Sequence, residues 1–249
     1  MSDGDRAPGT PGAWALTIIA ALLTVGSAAT DIMAFTRLGS VFASVMTSNI
    51  VFLGLAAARH SGTLAVHAAV SFGGYAAGVA AGSRLARRPA AGGPWTPWVA
   101  AALGLETAVL TGFTIGWEVT GARPGGGTQL LLIALATVAM GIQSAVVVVL
   151  NISGVGTTYL TGTLTSLIDS LASPGADRDP ARRREANRRR AVALAALVVG
   201  ALLAGLLISA APAAVPAIPL AVLVIVLTIG RRVLDAPQPR LAPGDGGAG

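Results

Sequence analysis

Residues 41–58 read Val41-Phe42-Ala43-Ser44-Val45-Met46-Thr47-Ser48-Asn49-Ile50-Val51-Phe52-Leu53-Gly54-Leu55-Ala56-Ala57-Ala58, a membrane-grade run with a polar Thr-Ser-Asn step inside it. A related step recurs in Tyr159-Leu160-Thr161-Gly162-Thr163-Leu164-Thr165-Ser166-Leu167-Ile168-Asp169-Ser170-Leu171. Each motif follows a glycine on the preceding apolar run, Gly26 or Gly141, by about twenty residues. A polar motif duplicated within apolar sequence predicts an internally repeated membrane protein whose working site lies where the copies meet.

Composition supports a membrane class. The chain is 53% hydrophobic and 11% charged, with a mean hydropathy of +0.72, well outside the range of a soluble domain. Cysteine is absent, which excludes disulfides, thiolate metal sites and cysteine nucleophiles together. All 17 basic residues are arginine, a bias attributed to genome base composition. A pI of 11.3 would point a soluble protein towards nucleic acid, but these arginines sit between apolar runs, where they orient a chain in a bilayer. The amino-terminal residues 1–13 form a polar tail without the basic region and cleavage site of a secretory signal. The Pro- and Gly-rich residues 233–249 are expected to be disordered.

A spanning helix needs roughly 20 apolar residues. Runs 14–30, 64–83, 97–116, 129–149 and 191–209 qualify, and the shorter 216–230 is framed as a span by Arg231 and Arg232. Arg84, Arg87 and Arg88 follow one run, and Arg182, Arg183, Arg184, Arg188, Arg189 and Arg190 precede another. By the positive-inside tendency these clusters and Arg231–Arg232 are cytoplasmic. An even number of crossings must separate the first two clusters, yet three apolar elements lie between them. The one that does not cross is 159–171, whose thirteen residues reach only about 20 Å. Applying the same logic to 41–58 yields an all-α, polytopic membrane bundle of about six spans. It comprises two inverted repeats, 14–116 and 129–232, each with a broken or re-entrant helix carrying the threonine motif. A loop at 117–128 joins the repeats, and a basic loop at 172–190 lies within the second. Seven spans, with 41–58 crossing and the amino terminus outside, is the alternative.

At Thr30-Asp31, Val41-Phe42 with Met46-Thr47-Ser48-Asn49, and Gly141-Ile142-Gln143 with Thr157-Thr158-Tyr159-Leu160-Thr161-Gly162-Thr163-Leu164, the chain resembles the YoaK-type bacterial membrane proteins. That family is defined as a domain of unknown function. The resemblance covers roughly residues 14–232 and implies a multi-span protein of the bacterial cytoplasmic membrane, without an established substrate. Members usually carry Thr-Gly-Asn in the first copy, where this chain has Thr47-Ser48-Asn49.

Polar side chains within hydrocarbon face the bundle interior or a cavity. The candidates for a substrate path are Asp31, Thr47, Asn49, Glu106, Gln143, Thr158, Thr161 and Thr163. A re-entrant element leaves backbone groups unpaired, which threonine and asparagine can satisfy; the same irregular backbone serves transporters in solute binding. Asp31, expected at the end of the first span, reads either as an interfacial cap or as a cation or proton site. Glu106, midway along its run, reads as a proton-coupling group or a packed neutral acid, and ranks second to Asp31 as a coupling group because Asp31 borders the irregular backbone of the first motif. His67 reads as interfacial, and Asn151, Thr157 and Thr165 complete the polar set. Gly74, Gly78 and Gly82 clear one helical stripe for close helix approach.

No metalloprotease, phosphate-loop or nucleophile-elbow signature is present, and two histidines leave little material for a metal site. The chain is therefore read as a non-enzyme without cofactor, partnered by the bilayer, by anionic headgroups at the arginines and by an unknown small solute, not by nucleic acid. The leading function is a small-solute transporter or channel, followed by a structural or accessory membrane protein, and third by a membrane-embedded enzyme using Asp31 or Glu106. The arginine distribution places both termini in the cytoplasm. Single cysteines at positions 5 and 186 of the cysteine-free chain should therefore resist a membrane-impermeant thiol reagent in intact cells and react after permeabilisation. External labelling at 5 selects seven spans, and external labelling at 186 overturns the topology.

Overall fold

The computed structural model describes residues 11–90, 95–151, 160–173 and 179–234. Eight α-helices follow one another: α1 (Pro11–Arg37), α2 (Met46–Ala58), α3 (Gly62–Ala86), α4 (Pro97–Val119), α5 (Gly126–Val149), α6 (Leu160–Ala172), α7 (Pro180–Ala210) and α8 (Ala217–Ile229). A 3-10 turn, Pro212–Ala214, leads into α8, and a π-helical turn, Gly230–Leu234, continues it. No strand occurs among the described residues.

Among the described residues, six stretches are long and apolar enough to cross a bilayer: Trp14–Arg37, Gly62–Ala86, Pro97–Val119, Gly126–Val149, Pro180–Ala210 and Pro212–Val233. The motif helices α2 and α6 have 13 residues each, or about 20 Å of rise, short of a ~30 Å hydrocarbon core. Only the 46–58 part of the 41–58 run is helical, so the seven-span alternative loses its seventh helix.

The boundaries move for local reasons. The first helix continues beyond Thr30 to Arg37, because Thr30 and Thr36 return their hydroxyls to the carbonyls of Gly26 and Ile32 and Asp31 finds partners outside the helix. Asp31 consequently lies within α1 and not at its end. The expected basic loop at 172–190 is mostly helical. Asp179 caps α7, accepting from the amides of Ala181 and Arg182 at 3.0 and 3.2 Å, with Pro180 in the first turn. At 31 residues α7 is about 46 Å long, so its arginine-bearing turns project past the hydrocarbon. The join between halves is only residues 120–125, because α4 and α5 both run further than their apolar stretches. Of the polar amino-terminal tail, residues 11–13 belong to α1, and of the carboxy-terminal segment expected to be disordered, residues 233 and 234 belong to the π-helical turn; the rest of both lies outside the described residues.

Contacts within three helix pairs fix the helix directions. Trp14 and Thr17 share a groove with Arg188 and Arg189, while at the other end Arg37 donates to the carbonyl of Ile208 at 3.3 Å; α1 and α7 are parallel. Gly74 faces Ala134 and Thr137, Gly78 faces Val138, and Gly82 faces Ile142 and Ala145; α3 and α5 are parallel. The Trp117 indole donates to the carbonyl of Pro212 at 2.9 Å, and Trp95 lies against Gly230; α4 and α8 are antiparallel. Arg88 stacks on Trp98, 4.7 Å from the ring centroid, next to Trp95. The arginines ending α3, starting α7 and ending α8 therefore gather at one end of the bundle. Arg37, Arg59 and Arg123 lie at the other.

The centre belongs to α1 and α5, each with 67% of its apolar stretch buried, against 22% for α3. Around them α3 and α4 pack on α5, α7 and α8 pack on α1, α2 lies on α3, and α6 lies on α7. Missing side chains make the closest approach possible. A Cβ at Gly78 would overlap the Val138 carbonyl, and one at Gly141 would come within 2.8 Å of the Val79 amide nitrogen. The neighbouring Gly73 has nothing within 4 Å of that position. Gly78→Val should therefore destabilise the bundle by about 3 kcal/mol or more through backbone displacement, whereas Gly73→Val stays within about 1 kcal/mol, the ordinary range for a permissive site. Unfolding midpoints of the two variants in detergent check this, and equal midpoints would refute the α3–α5 seat.

Candidate functional site

The first motif is built around a chain reversal that follows the end of α1 and leads the chain back into the bundle. After α1 the backbone turns through Gly39 and Ser40 at φ of +96° and +59°. Gly39 also sits against the His67 imidazole, where a Cβ would overlap the ring, so both conformation and space require glycine there. Residues 41–45 then run irregularly to α2, and their backbone groups must find partners inside the protein.

Three side chains, those of Asp31, Asn49 and Ser71, supply them at residues 42–44. Asp31 Oδ1 accepts from the amides of Ala43 and Ser44, each at 2.8 Å, and Oδ2 accepts from the Ser44 hydroxyl at 2.6 Å. Asn49 grips the peptide groups of Phe42 on both sides: Oδ1 accepts from the Phe42 amide at 3.0 Å, and Nδ2 donates to the Phe42 carbonyl at 2.7 Å. The second Nδ2 hydrogen goes to Ser71 Oγ at 2.7 Å, and the Ser71 hydroxyl donates back to the Phe42 carbonyl at 2.9 Å. Asp31, Ser44, Asn49 and Ser71 are all buried. The Phe42 ring stacks between Phe35 and Phe52 with centroid distances of 5.1 and 6.3 Å, holding the reversal from its other side. Asp31 and Asn49 thus come together in one cluster whose chemistry is backbone support. Ser44 and Ser71 are members that the sequence reading missed. Ser71 had a signal, being four residues from His67 and so on the same helical face.

Thr47, two residues before Asn49 and so on the opposite face of α2, is exposed. The second motif repeats the alternation: Thr161 is exposed and Thr163 is buried on α6. Thr158, Thr157 and Tyr159 lie outside the described residues. Leu160 packs against Ala20 and Ala193. Further along, the Asn187 amide donates to Ser170 Oγ at 2.9 Å, and Arg190 donates to the Ser166 carbonyl at 3.3 Å. Consequently α6 runs antiparallel to α7 towards the basic end, while α2 runs towards the opposite end. Ala20 and Asp31, the α1 residues level with the two motif starts, are about 16 Å apart along the helix. Thr47 and Asn49 therefore do not meet Thr161 and Thr163, contrary to expectation, because each half-helix is anchored to a different long helix in a different half of the bundle. Gln143 lies between these levels, its Nε2 donating to the carbonyl of Leu23 at 3.2 Å, and ties α5 to α1.

Glu106 differs from every residue of the clamp. It belongs to the buried stripe of α4 that includes Leu103, Leu110 and Phe113, and it has no exposed surface. Neither carboxyl oxygen has a hydrogen-bond partner among the described residues. An ionised carboxylate there would cost several kcal/mol; a neutral acid still leaves a donor unmet. Unsatisfied buried polar groups are rare in folded proteins and concentrate where a group must change partner or charge. Among the described residues no group of three or more histidine, cysteine or carboxylate side chains could hold a metal ion.

Long apolar helices around two enclosed spans, with half-length helices hung from their neighbours by side-chain clamps, define a polytopic helical membrane protein. The chain matches the family described as "Protein of unknown function (DUF1275)" over residues 19–229, and it belongs to that family. It is also similar to the UPF0700 transmembrane protein YoaK of Bacillus subtilis (strain 168), with 31% identity over 151 residues, 61% of this chain and 65% of that relative. The matched part thus spans a little under two thirds of the relative's length. No solved structure matches the chain.

The clamp makes Asn49 and Thr47 unequal despite their shared motif. Asn49→Ala leaves the Phe42 amide without its partner and the Phe42 carbonyl with only the Ser71 hydroxyl, and should destabilise the protein by about 1–3 kcal/mol, the cost of one stranded buried group. Thr47→Ala should change stability by no more than about 0.5 kcal/mol. Unfolding midpoints, with amide exchange at residues 42–44 as the local readout, separate the two; similar losses in both variants would remove the clamp.

Proposed function

We propose that the protein is a small-solute transporter or channel of the bacterial cytoplasmic membrane, and that Glu106 is its proton-binding group. The observation that carries this reading is the fully buried Glu106 carboxyl with both oxygens unpartnered among the described residues. Asp31 yields first place to it. Both Asp31 oxygens hold the 42–45 reversal, so proton binding there would release the segment on which α2 depends. An enzymatic role would require a second polar group converging on the carboxyl, and Glu106 has no such hydrogen-bond partner among the described residues.

The two halves are read as an inverted duplication. In support, α1 packs on α7 as α5 does on α3, α2 lies on α3 as α6 does on α7, and α4 packs on α5 as α8 does on α1. Exchanging the halves preserves each of these pairs. The antiparallel α4 and α8 fall together, as helices beside a two-fold axis in the membrane plane would. Glu106 lies halfway along α4, so it belongs to the region the halves share. The arginine-rich end is assigned to the cytoplasm, with both termini, and to contact with anionic headgroups.

Proteoliposomes containing a pH-sensitive dye test the coupling. A gradient of a transported small solute should change internal pH with the wild-type protein. Glu106→Gln, which retains shape but cannot release a proton, should reduce that change to the protein-free background, and Glu106→Asp should retain part of it. A solute-driven pH change of full size in Glu106→Gln, or its absence in the wild type across cationic, anionic and neutral solutes, overturns the proposal.

A further inference from the structure

The parallel pairs α3–α5 and α1–α7 are not closed in the same way. Gly74, Gly78, Gly82 and Gly141 bring α3 and α5 together over several turns. The other pair meets at Gly200, whose Cβ position would lie 2.8 Å from Val25 Cα and 3.0 Å from Ala28 Cβ. From that contact towards the basic end, α1 and α7 leave between them a groove of about 300 Å³, at the small end of the ~300–1,000 Å³ typical of ligand sites. Its walls include Ile18, Ala21, Leu22 and Val25 of α1 and Val192 and Ala196 of α7; Trp14, Arg188 and Arg189 border it at the basic end.

The chemistry changes once along its length. From Trp14 to Val25 the groove extends about 16 Å along α1, half of a ~30 Å hydrocarbon core and so the depth of one leaflet. Its lining over that depth is apolar apart from Thr17, one turn from Trp14 at the basic end. At the end where α7 leaves the hydrocarbon, Arg188 and Arg189 are held in place by Glu185, with both ion pairs at 3.0 Å. Two guanidinium groups against one carboxylate leave one net positive charge. A guanidinium has five N–H donors, so each keeps donors that Glu185 does not use. Arg184 and Arg190 adjoin them in the same basic run.

We propose that this groove is a binding site for one anionic phospholipid of the leaflet at the basic end. An acyl chain lies between α1 and α7, and the phosphate is held by Arg188 and Arg189. The charge selects the occupant: a zwitterionic lipid fills the apolar part equally well but brings no net negative charge to the arginines. Trp14, half-exposed at the mouth, sits at headgroup depth, where indole is favoured. This site is independent of the transport reading, because it involves neither Glu106 nor solute movement.

Trp14 provides the probe. The full chain is reconstituted in vesicles containing small fractions of brominated phosphatidylglycerol or brominated phosphatidylcholine, and the difference between wild type and Trp14→Phe isolates quenching of Trp14. The anionic lipid should quench at a lower mole fraction than the zwitterionic one. Replacing Arg188 and Arg189 together with Gln should weaken that preference by on the order of 5-fold per charge, the effect of a basic residue near an anionic surface. Those positions lie outside the hydrocarbon, so this variant remains informative even if the groove-filling Ala21→Phe does not fold; where it folds, Ala21→Phe should lower quenching by either lipid. Equal quenching by both lipids overturns the proposal, as does a preference unchanged in the Arg188/Arg189 variant. Disulfide-linked dimers through a cysteine at position 18, without quenching by either lipid, would assign the groove to a second copy of the chain instead.

Discussion

The constraint on which this structure depends is that no backbone amide or carbonyl can be left unpaired inside a bilayer. A chain that turns back within the membrane breaks the helical ladder and must rebuild its hydrogen bonds from side chains. Between α1 and α2 this falls to Asp31 and Asn49, with Ser44 and Ser71 completing the set. The clamp allows a 13-residue helix to begin where the chain turns back into the bundle, which in turn leaves six long stretches, an even number, and brings both ends of the helical bundle to the same side. Asn49 of the first motif, and Asp31 before it, are thus engaged in architecture.

Glu106 stands outside that economy. Both Asp31 oxygens accept from donors, whereas neither Glu106 oxygen has a partner among the described residues and its buried stripe on α4 is otherwise apolar. The contrast reverses the order that position alone implied, in which the carboxylate beside irregular backbone came first. Irregular backbone consumes a carboxylate; a regular helix, whose own backbone is already satisfied, leaves one over. The unsatisfied acid is accordingly found on the continuous α4.

Close helix approach does different work in the two halves. Glycines spaced by four seat α3 on α5 with backbone atoms nearly in contact. A single comparable glycine, Gly200, closes α1 on α7, and larger side chains part those helices towards the basic end. Helices without a hydrophobic driving force between them in lipid depend on such steric fit, so the pattern of small residues decides where the bundle is solid and where it opens.

The sequence by itself determined the membrane class, the six long apolar helices and the shortness of the second motif helix. These follow from run length, hydropathy and arginine placement, which act locally along the chain. It also singled out Asp31, Asn49 and Glu106 as polar groups in hydrocarbon, since their burial cost is a property of residue type. Tertiary structure alone decided that Asn49 grips Phe42 and that Ser71, twenty-two residues further on, shares the task. It alone separated Thr47 from Thr161. Each of these depends on which helix a segment leans against, and partners so far apart in the chain leave no periodic trace in the sequence.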